Sequence, residues 1–150
     1  MEIEEFEKIL LNIAVCAISC DGHIDDLEIK ELHLINKKSP YFSQTNLTSS
    51  LNNSIAIAMD SYFTFENSVF NELNKYRLSV PQELTILEIS MALIAADNEI
   101  DKSEVKFINL LRRNLSIDDL TISERFGKIN YLDLNNTTKD EFTKLSDTEL

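Results

Sequence analysis

Apolar residues along this chain recur at a spacing near 3.6, and the recurrence divides it into helical segments. Residues 3–20 carry Ile3, Phe6, Leu10, Ile13 and Ala17 on one stripe, and residues 25–38 follow as a second helix stopped by Ser39 and Pro40. Residues 45–78 read as one or two helices bearing Leu51, Ile55, Phe63, Phe70 and Leu73, with a break expected over residues 62–65. The aromatic side chains of this stretch are expected in the core. Pro81 suits the first turn of a helix that runs to about Ala96, residues 101–114 give the next, and residues 118–131 give one or two more. Two prolines and two glycines leave little punctuation for hairpins. The fold class expected is all-α, a bundle of helices in one domain over residues 1–132. Residues 133–150 form a polar tail, read either as a short helix capped by T-K-D-E at residues 138–141 or as disordered.

The pattern also repeats. Shifted by 76 residues, "CDGHIDDLEIKEL" at residues 20–32 falls on "ADNEIDKSEVKFI" at residues 96–108. Asp21 then pairs with Asp97, Ile24 with Ile100, Asp25 with Asp101, Glu28 with Glu104 and Lys30 with Lys106. Apolar positions on either side match in type, including Ile13 with Ile89 and Leu32 with Ile108. The sequence therefore duplicates a helix-loop-helix unit.

Each copy resembles the second half of a calcium-binding EF-hand loop, whose oxygens come from positions 1, 3, 5, 7, 9 and 12 around a glycine at 6. With Gly22 at position 6, positions 1 and 3 are Ala17 and Ser19, and in the second copy they are Leu93 and Ala95. Ala17 and Leu93 belong to apolar helical stripes, so an ordinary EF-hand is excluded. Capped helix corners explain most of the repeat. Gly22 and Asn98 suit the left-handed conformation that ends a helix. Asp25 and Asp101 are N-caps, Glu28 and Glu104 stand at capping-box spacing, and Ile24 with Ile29, like Ile100 with Val105, form hydrophobic staples. Asp21 and Asp97 are left over, because a carboxylate in the last turn faces the negative end of the helix dipole. Three roles compete for them: a turn hydrogen bond, an ion pair with Lys30 or Lys106, or a cation shared with neighbouring carboxylates. Face-to-face packing of the two units would gather Asp21, Asp25, Glu28, Asp97, Asp101 and Glu104 into one oxygen-rich cluster. That cluster is the candidate site for a divalent cation: calcium, magnesium, manganese or zinc.

Two copies of A-x-D-G-x-I-D-x-x-E, here "SCDGHIDDLE" and "AADNEIDKSE", make residues 1–130 similar to the tellurite-resistance TerB-like family. The resemblance implies a bundle of about seven helices built on a pseudo-twofold repeat, with acids of both copies on one face. It further implies a non-enzymatic module of bacterial stress response, tellurite resistance or phage defence, with protein partners in membrane-associated complexes and metal contact at the acidic face. The chain departs from the family at Asn98, where glycine is usual, and at Cys20, where alanine is usual.

Charge and cysteine usage narrow the remaining choices. The net charge is −12, and no basic stripe is present, so nucleic acid is not an expected partner. Acids concentrate in residues 1–31, nine against two bases, while residues 32–80 hold three against four. This asymmetry supports an alternative reading, a small acidic inhibitor or immunity-type protein that covers a basic protein partner through Glu2, Glu4, Glu5 and Glu7. An atypical calcium sensor is a weaker third. The first residues lack the basic start of a secretory signal, and no apolar run approaches the ~20 residues of a spanning helix, so a soluble cytoplasmic chain is expected. Cys16 and Cys20 face Ala92 and Ala96 across the repeat, which makes them buried apolar positions rather than a soft-metal site. His23 is expected in an exposed loop and His33 on a helix surface. No nucleophile with an apposed base and no phosphate-cradling glycine loop is present, and catalysis is not expected.

Overall fold

The longest apolar segment of the chain becomes the centre of the molecule. In a computed structural model that describes residues 2–42 and 46–132, α1 spans Ile3–Ser19 and is buried almost all round from Ile9 to Ser19. Such burial exceeds a single stripe and marks a helix surrounded by others. Its neighbours are α2 (Asp26–Lys38), α3 (Leu47–Asp60), α4 (Tyr62–Asn74), α5 (Val80–Ile94) and α6 (Lys102–Asn114), and α7 (Asp119–Phe126) is the last helix of the described residues. Seven helices and no strand are found among the described residues. The all-helical class is as expected, and the polar tail at residues 133–150 lies outside the described residues. No helix of the described residues is long and apolar enough to cross a membrane.

The second central element is α5, whose Ile86, Leu87, Ile89, Leu93 and Ile94 are buried against α1. It starts on a capping box in which the Ser79 side chain accepts from the Gln82 N–H and the Gln82 side chain accepts from the Ser79 N–H, with Pro81 in the first turn. The middle segment breaks at Ser61, in extended conformation (φ −154°), which ends α3 and begins α4. Leu51, Phe65, Phe70 and Leu73 reach the core from these two helices.

Two expected core positions are corrected. Ile3 is 69% exposed in the first turn of α1, and Phe63 is 73% exposed on α4, with an edge-on ring contact to Tyr62. In the opposite direction Glu7 is buried, so the acidic start of α1 presents Glu2, Glu4 and Glu5 without it.

Helix α7 is anchored by charge. Arg112 of α6 donates to Asp119 at 2.6 Å in a buried ion pair, and the buried Glu83 carboxylate accepts the N–H groups of Ser116 and Ile117 in the preceding loop. The consequence for the site is that α1 and α5 lie together with their C-terminal ends close, and the corners that follow them, before α2 and α6, meet.

Candidate metal centre

Both corners are built the way their sequences dictate. Gly22 has φ +84° and Asn98 has φ +65°, the left-handed values that a helix end needs and that these residue types tolerate. The carboxylates just before them close the turns: Asp21 Oδ1 accepts the His23 N–H at 2.9 Å, and Asp97 Oδ1 accepts the Glu99 N–H at 3.0 Å. Of the three roles open to these aspartates, the turn hydrogen bond is therefore filled. The ion pair with Lys30 or Lys106 is not formed by either aspartate.

The corners differ at the next step. Asp101 closes a full capping box: its Oδ1 accepts the Glu104 N–H at 2.9 Å, and Glu104 Oε1 accepts the Asp101 N–H at 3.0 Å. Asp25 instead caps the Leu27 N–H at 2.8 Å, and Glu28 does not return to the Asp25 backbone. The capping box expected at Asp25 and Glu28 is thus not formed. Released from it, Glu28 brings an oxygen into a group in which one carboxylate oxygen each from Asp25, Glu28 and Asp97 lie within 4.8 Å of one another. Local capping chemistry in one corner has freed a ligand for contact with the other.

Burial makes that contact costly without a counter-charge. Glu28 and Glu104 are each 3% exposed, and Oε2 of each has no hydrogen-bond partner. An orphaned buried carboxylate oxygen costs several kcal/mol when ionised, so a proton or a cation must compensate it. Desolvation pushes the Glu28 carboxyl up to about 9, reinforced by the charges of Glu104, Asp21, Asp25 and Asp97. Desolvation also raises Glu104, to about 7, with Asp101, Asp97 and Asp21 adding to the rise and the Asp101 N–H opposing it. Between them, Glu28 and Glu104 feel the charge of all four of the other sequence-selected acids. Asp25, Glu28 and Asp97 are at ligation distance, and Asp21, Asp101 and Glu104 surround them.

The donor set is all oxygen. Three carboxylates fit a hard divalent ion, calcium or manganese completed by water, or magnesium keeping several waters. The nearest thiol adds nothing to it. Cys20 is half-buried, its Sγ lies 3.5 Å from the Ala17 carbonyl oxygen, and burial together with Glu104, Asp21, Asp101 and Glu28 holds the thiol well above its ordinary value. A protonated thiol is a poor ligand for zinc. Cys16 is fully buried, and His23 and His33 are exposed, as their positions in the repeat and on α2 imply.

Sequence reasoning passed over two polar clusters, the Arg112, Asp119 and Glu83 group that anchors α7 and another beside Cys20. The Tyr62 hydroxyl donates to Glu66 at 2.7 Å and lies 3.3 Å from the Cys16 carbonyl oxygen, tying the start of α4 to α1 beside Cys20. The only signal in the sequence was Tyr62 and Glu66 at a spacing of one helical turn. An open groove of about 480 Å³ between α1, α3 and α4, walled by Lys8, Asn12, Ser54 and Tyr76, lies apart from the acidic centre. No protein-family model, no curated protein and no solved structure matches this chain. The residues and their geometry carry the functional reading.

Proposed function

We propose that this protein is a non-enzymatic helical binding module that takes one divalent cation between its two acidic corners, with Asp25, Glu28 and Asp97 as the protein ligands. The observation that carries this reading is the Glu28 carboxylate: 3% exposed, orphaned at Oε2 and grouped with two further carboxylates. Structural capping does not account for it, because the cap of α2 is made by Asp25 alone. The TerB-like resemblance of residues 1–130 agrees with it, including the pseudo-twofold relation of the two units and a place in a cytoplasmic stress-response or defence complex with a protein partner. The ion's role in such a module is to lock the α1–α2 and α5–α6 corners together and present a defined surface to that partner.

Thermal unfolding of chelator-treated protein with calcium, magnesium, manganese or zinc tests the proposal. At a hundred times its dissociation constant, a bound ion stabilises by about 2.7 kcal/mol. That is a rise of roughly 5–10 °C for a domain of this size. The rise is expected with a hard ion and is expected to vanish in Glu28→Gln/Asp97→Asn. Equal melting temperatures with and without every ion would sink the metal reading.

The alternative is an inhibitor or immunity-type protein for a basic partner, favoured by the exposed Glu2 and Glu4 and the half-buried Glu5 at the start of α1. Neutralising these three would then weaken partner binding and its salt dependence, with Asp97→Asn having no effect.

A further inference from the structure

Helix α2 buries little of itself. Of its 13 residues only Glu28 and Leu32 are buried, and its neighbours are α5 and α1. At about 100° per residue, Leu27, Lys30, Leu34, Lys37 and Lys38 fall within roughly 100° of one another on the side away from Leu32. Leu27 and Leu34 are 51% and 52% exposed, and all three lysines are exposed without forming an ion pair among the described residues. We infer that this outer face of α2 docks an acidic amphipathic helix of a protein partner. The inference names the docking surface and partner chemistry of the binding module proposed above; it needs that module's protein partner but not its cation.

Lys37 and Lys38 suit the last turn of any helix, where they offset the negative end of the dipole. That account does not reach Lys30 in the middle of α2, or the two leucines on either side of it. Leu27 and Leu34 stand seven residues apart, about 10.5 Å along the axis, with Lys30 between them and the other lysines beyond. A partner helix presents apolar anchors at the same spacing, i and i+7. Carboxylates flanking those anchors would meet Lys30, Lys37 and Lys38. The charge of the face is local: the chain carries −12, yet Asp26 and Glu31 stand only at the edges of this face and no acid lies within it. Exposed charges are screened beyond about 8 Å at physiological ionic strength, so a segment lying along α2 feels its lysines more than the acids elsewhere.

An anionic membrane fits this face less well. A lipid plane would draw Asp26, Glu31 and the acids of the preceding corner, Asp21 and Asp25, toward its headgroups, and two leucines bury little apolar surface in lipid. Three lysines likewise neutralise too few phosphates for a nucleic acid. A single helix, about 10–12 Å across, is narrow enough to cover the lysines and leave the flanking acids in water.

The test titrates the full chain, isotope-labelled and chelator-treated, with a synthetic helix of about 14 residues, leucines on one stripe and glutamates elsewhere, read by amide chemical shifts. An isomer of the same composition in scrambled order is the comparison. Shifts confined to α2 are expected, saturating with a dissociation constant on the order of 100 μM and absent with the isomer. Lys30→Gln/Lys37→Gln/Lys38→Gln and Leu27→Ser/Leu34→Ser, all at exposed positions, are each expected to weaken binding roughly tenfold with unchanged helical circular dichroism. Equal binding of the isomer, shifts centred away from α2, or no shift at millimolar peptide would overturn the inference. So would phosphatidylserine vesicles that bind through α2, or self-association lost in the same variants, since the face would then belong to a membrane or to a second copy. With no ion present, failure here leaves the melting test of the cation site untouched, and a failed melting test leaves this result standing.

Discussion

Glu28 is the residue on which the chemistry turns, and its titration gives a prediction with a definite sign. Its carboxyl in the folded chain is raised from 4.5 to about 9, and that of Glu104 to about 7, so the folded state binds more protons than the unfolded state over this window. Stability of the metal-free protein is then full below about 4.5, falls as pH rises through about 7 and about 9, and levels off above. Glu28→Gln, which holds no charge at any pH, is expected to flatten most of this slope in melts recorded across pH with chelator present. A bound divalent ion must displace the Glu28 proton, so cation affinity is expected to rise with pH over the same window. A metal-free protein equally stable at pH 5 and pH 9 would contradict this account of Glu28.

At the scale of elements, two corners of like sequence divide their labour. Asp101 and Glu104 spend their hydrogen bonds on starting α6, and Asp25 starts α2 unaided, which leaves Glu28 for the site. Asp101→Ala is expected to cost about 1 kcal/mol in chelated protein, through loss of the Glu104 N–H acceptor. Asp101→Asn keeps an equally good cap, and denaturant unfolding should place it within about 0.5 kcal/mol of the wild type. If the two variants unfold alike, the cap does not hold α6. The corner motif itself was legible in the sequence, because Gly22, Asn98 and the caps act over three or four residues. The unequal capping was not, since D-x-x-E reads the same in both copies.

For the whole molecule, the site is a by-product of how α1 and α5 pack. Ile13 of α1 and Leu87 of α5 are fully buried in the core these helices share. Leu87→Ala is expected to cost about 2–5 kcal/mol by opening a cavity, without touching a ligand. It should also weaken cation binding, because the packing of α5 on α1 and α2 brings the two corners together. Calorimetric titration of the variant at a temperature where it remains folded checks this, and unchanged affinity would mean that the corners meet independently of the core.

The sequence by itself determined the helices, the Asp25 and Asp101 N-caps, the left-handed corner residues and the identity of the six acids. These are local matters, fixed by a 3.6-residue period and by hydrogen bonds between near neighbours. The break before α4 was expected over residues 62–65 and falls earlier, at Ser61, with residues 62–65 forming the first turn of α4. Only the tertiary structure decided that α1 is buried all round while Ile3 and Phe63 stay exposed, and that Glu7 turns inward. It also decided which three of the six carboxylates meet. Those outcomes depend on which helix lies against which, and on Glu28 giving up a near neighbour for an aspartate from the far half of the chain. No hydrogen bond within one corner encodes that exchange; the packing of α1 on α5 does.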